Sequence, residues 1–159
     1  MRSEGNKMKK LLLTASLLLL ATEVSAWVTK DFVPANVSKI NVGISDSASD
    51  GCWTNIGEVK RYAEDKLELA GFNVTREKFE KYDDTKHFYM IINITSERAA
   101  NSCYGSISTY IMKMVYDNNV YAKFVAGEAE GIFSGHKNVN QHALKFVGNF
   151  MKEIEDPQF

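Results

Sequence analysis

The clearest element of this chain is the segment CWTNIGEVKRYAEDKLELAG at residues 52–71. Its apolar residues recur at steps of three and four, so they share one face of a helix. Thr54 is suited to cap the start of that helix, because its hydroxyl can accept a hydrogen bond from a free backbone N–H of the first turn. Gly71 is suited to end it, since the left-handed conformation costs glycine little. The segment therefore predicts an amphipathic helix whose apolar face is formed by Ile56, Val59, Tyr62, Ala63, Leu67 and Ala70.

Apolar residues that alternate with polar ones predict five strands, one before this helix and four after it in the chain. Asp117, Asn118 and Asn119 tolerate positive φ, and they predict a hairpin between the last two strands. A second amphipathic helix is predicted over 138–154, with Pro157 beyond its end. Residues 127–135 are open to two interpretations, a continuation of the last strand or a loop. The predicted strands are 39–45, 72–75, 87–95, 103–116 and 120–126.

The predicted order of elements is β-α-β-β-β-β-α. This order is typical of an α+β fold with a mixed five-stranded sheet, two amphipathic helices and an antiparallel meander in the C-terminal half. The layout resembles the small periplasmic domains typified by the N-terminal domain of TolB and related envelope proteins. The resemblance is one of element order, so it implies a fold and no particular activity.

The first 26 residues have the pattern of a secretory signal peptide. Lys9 and Lys10 precede an apolar run, and Val24-Ser25-Ala26 places small residues at the −3 and −1 positions of a cleavage site. The run is about ten residues long, against the roughly 20 that a membrane-spanning helix needs. We therefore expect residues 1–26 to be cleaved and residues 27–159 to form one exported domain, periplasmic or secreted.

Charge and cysteine content restrict the function classes. The formal net charge is −1, and removal of the first 26 residues lowers it to about −3, which argues against a nucleic-acid partner. Two cysteines in an exported protein favour one disulfide, Cys52–Cys103. The bond would join the start of the first helix to the fourth predicted strand, provided that the Cα atoms lie within about 7 Å. The alternative, a reactive or metal-binding thiol, lacks a Cys-x-x-Cys spacing.

Tyrosine and methionine side chains concentrate on one side of the predicted meander. If both helices cover the opposite side, this surface is open to water and suited to a partner, because aromatic residues and Met are enriched in interface cores. If the second helix packs on this side instead, the same residues form a second core. The residues concerned are Tyr89, Tyr104, Tyr110, Met112, Met114, Tyr116 and Tyr121.

The segment SDSASDG at residues 45–51 follows a predicted strand and precedes the first helix, where α/β proteins often place ligand sites. Asp46 and Asp50 would repel an anion there. Their spacing faintly matches the start of a calcium loop, but Ala48 occupies a ligand position and Gly57 stands where the bidentate Glu is required. We therefore reject an EF-hand. The segment is either an alternative ligand site or a solvated turn.

Other candidates for chemistry are weak. The histidines His87, His136 and His142 have no zinc-motif spacing, and no nucleophile elbow is present. Glu128 and Glu130 would project to the same side of a strand and could form an acid pair, although the glycines around them favour a polar edge. We expect no metal and no cofactor, and an enzyme is disfavoured.

The pattern as a whole favours an exported, non-catalytic binding or adaptor protein of the cell envelope. It would act on another envelope or secreted protein through the Tyr/Met side of the sheet or through a sheet edge. The alternative is a small secreted ligand-binding protein or hydrolase that uses residues 45–51.

Overall fold

The structure, a computed structural model, describes residues 25–76 and 86–157. In these ranges the chain forms one five-stranded sheet and two α-helices. None of the described helices is long and apolar enough to cross a membrane. The strands are β1 (Ser25–Val28), β2 (Lys39–Ala48), β3 (His87–Ala99), β4 (Ser102–Asp117) and β5 (Val120–His136), and the helices are α1 (Ile56–Leu69) and α2 (Asn140–Glu155).

The strands lie in the order β1-β5-β4-β3-β2. β3, β4 and β5 form an antiparallel meander, β1 joins β5 antiparallel, and β2 pairs parallel with β3. Parallel pairing needs a long crossover, and α1 lies within the crossover between β2 and β3. The predicted α+β class, with a mixed five-stranded sheet and two helices, is confirmed.

The strand at the outer edge next to β5 comes from an unexpected part of the chain. β1 includes Ser25 and Ala26, the last residues of the predicted signal peptide, and the rest of that peptide lies outside the described residues. Cleavage after Ala26 would leave Trp27 and Val28 to pair with β5. Val28 is 1% exposed, so this end of the chain contributes to the core.

The predicted strand at 72–75 is reduced to one parallel bridge between Val74 and Ile40. After this bridge, Arg76 is held against α1. Its guanidinium lies 3.1 Å from the carboxylates of both Glu64 and Glu68. Glu64 is almost fully buried, so the ion pair also satisfies a carboxylate that would otherwise be costly to bury.

The segment left open at residues 127–135 is a continuation of β5, which ends at His136. The segment remains extended because β4 pairs along one side of it and β1 pairs along part of the other. Glycine lets neighbours approach closely: a Cβ at Gly131 would lie 3.1 Å from the ring of Phe146 in α2. Gly131 therefore lets α2 pack closely against the sheet.

The hydrophobic core lies between the two helices and one face of the sheet. Both helices place their buried residues against the same face of the sheet, and every second residue in the middle of β3 and of β4 is buried there. Burying a Leu, Ile or Phe side chain stabilises by about 1.5–3 kcal/mol each. Central members include Met90, Ile92, Ile94, Ile107, Ile111, Val59, Leu67, Phe146 and Phe150.

The two helices are tied together at their starts. Asn140 donates from Nδ2 to Oγ1 of Thr54 at 2.7 Å and accepts at Oδ1 from the backbone N–H of Thr54 at 3.0 Å. Since both N-termini meet here, α1 and α2 run side by side in the same direction. Thr54 is therefore not the N-cap that the sequence predicts. The cap position is Asn55, and the Thr54 hydroxyl accepts a hydrogen bond from Asn140 instead.

The predicted disulfide Cys52–Cys103 is present, with a Cα–Cα distance of 5.8 Å. Both cysteines are fully buried. The bond anchors the entry to α1 on the start of β4, and the carbonyl of Cys52 accepts a hydrogen bond from Val139 before α2. The crosslink therefore fixes the end of the molecule where both helices begin.

Candidate functional site

One side of the sheet, which we call the open face, is not covered by either helix. It lies opposite the core and carries the even-numbered residues of β4 together with their partners in β3 and β5. The register places Met112 between Tyr89 and Val125, and it places Tyr116 opposite Tyr121. The structure therefore brings all the Tyr and Met residues that the sequence predicted for a binding surface onto one side of the sheet.

The open face is not uniformly exposed. Tyr89 is only 9% exposed, and Tyr110, Met112 and Met114 are half-buried by their neighbours. Exposure is high at the two ends, with Tyr104 at 43% at one end and Tyr121 at 64% at the other. The half of the face around Met112 is thus a packed apolar floor, and the two ends present aromatic rings to solvent. Between this floor and Tyr104 the face is polar, with Ser106, Ser108 and Asn93.

Gly43 of β2 makes the middle of this face flat. A Cβ at Gly43 would lie 2.7 Å from Cδ1 of Ile91, so the Ile91 side chain extends over β2. Ile91 in turn lies opposite Tyr110 in the sheet register. The sequence did not mark Gly43 as part of the surface, because an isolated glycine in a strand carries no information about its neighbours across the sheet.

Polar and charged groups surround the apolar floor. Tyr104 donates a hydrogen bond to the carboxylate of Glu97 at 3.0 Å, and this bond, together with the charge of Glu97, raises the pKa of Tyr104. Lys123 Nζ lies 5.0 Å from the ring centroid of Tyr110, within the range of a cation–π contact. Glu128 and Glu130, the predicted acid pair, also lie on this side, opposite Tyr110 and Ser108.

The hairpin of β4 and β5 extends beyond the rest of the sheet, and we call residues 113–124 the hairpin arm. The β3–β4 ladder ends at the pair of Tyr89 with Met112, and β1 pairs only with 127–130 of β5. Within the described residues, the arm therefore has no third strand. The rings of Tyr116 and Tyr121 pack at 4.5 Å, but the side opposite the open face is exposed as well, with Val120 at 61% and Phe124 at 44%.

The alternative ligand segment at residues 45–51 is not a loop over its first half. β2 extends to Ala48, because Ser45–Ala48 continue the parallel ladder with β3. Asp46 Oδ1 accepts from the Ala48 N–H at 2.9 Å, and the carbonyl of Asp50 accepts from Arg98 Nε at 3.0 Å. Asp50 has positive φ and turns the chain towards Cys52.

His136 and His142 come together although the sequence spacing did not predict it. Their ring centroids are 5.3 Å apart, because β5 ends beside the first turn of α2. Burial, and then the charges of His136 and Lys145, lower the pKa of His142, whose Nε2 is buried with no hydrogen-bond partner among the described residues. His87 lies elsewhere and stacks on Tyr89 at 4.8 Å. No group of three or more metal-ligating side chains occurs within the described residues.

Comparison with known proteins identifies a fold and no family. No family model matches the chain, and no curated protein sequence matches it. Among solved structures, the PelC dodecamer from Paraburkholderia phytofirmans, in two crystal forms, is similar with a TM-score of 0.50 at 12% and 11% sequence identity. The alignments cover 82% and 85% of this chain and 97% and 98% of the PelC chains.

The hypothetical protein CT253 from Chlamydia trachomatis is less similar, with a TM-score of 0.39 at 8% identity over 74% of this chain and 93% of its own. At 11–12% identity, the similarity to PelC concerns the fold alone. The chain is therefore similar in fold to PelC.

Proposed function

We propose that this protein is an exported, non-catalytic adaptor that binds another envelope or secreted protein through the open face of its sheet. One observation carries the proposal: α1 and α2 pack on the same side of the sheet, so within the described residues no helix covers the Tyr- and Met-rich side. The disulfide supports export, since such bonds persist in oxidising compartments.

The dimensions of the open face are sufficient for a stable interface. At roughly 3.3 Å per residue, the 16 residues of β4 span about 50 Å. Where all five strands lie side by side, at about 4.8 Å spacing, the sheet is roughly 20 Å wide, and it narrows to two strands in the hairpin arm. A standard interface buries about 800 Å² per partner. The composition of the open face also fits an interface, because aromatic and Met residues form one apolar half of it, and polar or charged groups such as Ser108 and Glu130 border that half.

The test is a crosslinking pull-down from cell-envelope extract with the mature chain as bait. We expect one dominant partner, and we expect the double variant Tyr110→Ala/Met112→Ala to lose it. Leu69→Ala is the matched control, because Leu69 is a large apolar residue that is 80% exposed on α1, away from the open face. The control should retain the partner.

A thermal unfolding curve for each variant separates a lost contact from a lost fold. Because Tyr110 and Met112 are half-buried, their truncation should cost less than the 2–5 kcal/mol that is typical of a fully buried Met. Retention of the partner by a folded double variant would contradict the proposal. A larger loss of stability would show that the two residues act as core.

A second candidate is self-assembly, in which the partner is another copy of this chain. Two observations favour it: the PelC structures with this fold are dodecamers, and the hairpin arm exposes apolar residues on both sides. Light scattering coupled to size-exclusion chromatography tests it directly. We expect a closed oligomer that Tyr116→Ser/Tyr121→Ser converts to a monomer. A monomeric wild-type chain over the micromolar range would exclude this candidate.

A further inference from the structure

The outer surface of the helical layer contains a groove between α1 and α2, on the side of the molecule opposite the open face. Its cavity volume is about 270 Å³. Since a water molecule occupies about 30 Å³ of liquid, the groove has room for a small organic ligand. It is lined by Tyr62 and Lys66 of α1 and, among others, by Leu144, Lys145, Gly148 and Met151 of α2.

Positive charge dominates this groove. Lys66, Lys145 and Lys152 line it against one carboxylate, Glu155, and within the described residues none of the three lysines has an ion-pair partner. In the same ranges the Tyr62 hydroxyl has no hydrogen-bond partner either. The groove therefore offers three ammonium groups and a hydroxyl that make no hydrogen bond within the described residues, and Lys66 Nζ lies 5.9 Å from the centroid of the Tyr62 ring.

Gly148 makes this arrangement possible. It lies in the middle of α2, where glycine costs helix stability relative to alanine. A Cβ at Gly148 would lie 2.8 Å from the hydroxyl oxygen of Tyr62, so an alanine would displace the tyrosine from the groove. Gly148 thus leaves room in the groove for the phenol hydroxyl of Tyr62.

The position of the groove along the two helices also suits an anion. Lys66 and Lys152 lie in the last turns of α1 and α2, where the helix dipole favours cations and disfavours anions. That effect falls off within one turn, and Tyr62 and Gly148 each precede the last residue of their helix by roughly 10 Å at 1.5 Å per residue. An anion beside Gly148 is therefore remote from the negative helix ends and close to the lysines.

We propose that the groove between α1 and α2 binds a phosphate ester, with its phosphate group among Lys66, Lys145 and the Tyr62 hydroxyl. Lysine ammonium groups bind phosphate as compact point charges, and a phosphate monoester carries a charge of about −1.5 to −2 at pH 7, which two lysines can balance. The organic part of the ligand would lie on Leu144 and Met151, the apolar side chains of the groove. This site is independent of the adaptor surface, because it lies on the other layer of the molecule.

The test is an NMR titration of the ¹⁵N-labelled chain at constant ionic strength. The probes are inorganic phosphate, glycerol 3-phosphate, and vesicles of phosphatidylcholine with and without phosphatidylglycerol. We expect saturable shifts of the Gly148 and Asn149 amides with glycerol 3-phosphate. A response only to phosphatidylglycerol vesicles would assign the phosphate to a lipid headgroup, and a response to the soluble ester would assign it to a free metabolite.

Three variants make the result decisive. Lys66→Gln/Lys145→Gln should weaken binding at least tenfold, and Gly148→Ala should weaken it without changing any charge. Lys30→Gln is the matched control, because Lys30 is an exposed lysine outside the groove, and it should leave the affinity unchanged. The proposal is overturned if no probe shifts the groove amides saturably, or if Lys30→Gln weakens binding as much as the double variant does.

Discussion

At Gly105 of β4, the backbone of the neighbouring strand leaves no room for a side chain. A Cβ there would lie 2.0 Å from the carbonyl oxygen of Thr95 and 2.8 Å from the Cα of Ser96. Both atoms belong to the backbone of β3, so neither can move cheaply. The register of β4 and β5 also shifts between Cys103 and Gly105, which marks an irregular point in the sheet.

We expect Gly105→Ala to lower the free energy of unfolding by about 1–3 kcal/mol, the usual cost of overpacking. Gly57→Ala is the control, because a Cβ at Gly57 in the first turn of α1 would have no atom within 4 Å. That substitution should stabilise by about 0.5–1 kcal/mol, since alanine restricts the unfolded chain. Urea denaturation of both variants measures the difference, and equal effects would contradict this account.

His142 is the residue that links stability to pH. Burial lowers its pKa below the ordinary 6.5, so near neutral pH the folded protein binds a proton at this site less readily than the unfolded chain does. The stability that the folded protein has with His142 neutral is therefore fully present above about pH 6.5, the ordinary pKa of histidine. It is lost as the pH falls towards the lower pKa that His142 has in the folded protein.

We therefore expect the melting temperature to fall between pH 7.5 and pH 5, and to fall less in His142→Gln, which has no titrating ring at that position. His136→Gln is the companion variant, because the charge of His136 also lowers the pKa of His142. Calorimetric scans across this range measure the effect. An identical pH slope in wild type and His142→Gln would show that other groups are responsible.

Among the elements, the hairpin arm differs most from the rest of the sheet. The register shift between Ile111 and Met112 marks its start, and bulges of this kind bend and twist a strand pair. Beyond Met112, which still pairs with Tyr89 of β3, the two strands have each other and no third strand within the described residues. An isolated two-stranded hairpin is marginally stable in water, so its order depends on the rest of β4 and β5 or on a partner.

We expect backbone amides in the arm to exchange with deuterium much faster than those of the central strands, because local opening exposes them without global unfolding. The comparison segment is the middle of β4 around Ile107, which is 1% exposed and paired on both sides. Hydrogen-exchange mass spectrometry measures both. Equal protection in the monomer would contradict the free-standing character of the arm, and protection that appears with oligomerisation would support self-assembly.

At the scale of the whole molecule, the crosslink Cys52–Cys103 constrains the unfolded chain. The sequence separation is 51 residues. In the chain-entropy model, a loop of that length contributes about 4 kcal/mol to stability, because it removes conformations from the unfolded chain. The bond also fixes the end where α1 and α2 begin, so its loss affects the layer of helices as well as the sheet.

We expect Cys52→Ser/Cys103→Ser to lose about 4 kcal/mol in chemical denaturation, with an increased denaturant slope because the unfolded state becomes more expanded. Reduction of the wild-type protein with dithiothreitol should have the same effect and needs no substitution. A change below about 1 kcal/mol in both experiments would show that residual structure in the unfolded chain already holds the two segments together.

The sequence alone was sufficient wherever the relevant pattern is local or leaves few options. Two cysteines allow one intramolecular pairing, and the structure has it. Alternation placed Tyr110 and Met112 on the same side of β4, because successive side chains of a strand point to opposite faces. Helical periodicity gave both helices and their buried sides, including Val59 and Leu67 in α1.

Only the tertiary structure decided which side of the sheet the helices cover, and therefore that Tyr104 and Tyr121 are exposed. Periodicity describes one element at a time, whereas covering a face depends on where a distant element packs. The same limit applies to the arm, whose exposure depends on how far β3 and β1 reach. It applies also to the meeting of His136 with His142 and of Gly148 with Tyr62, since contacts between separate elements leave no periodic signal in the chain.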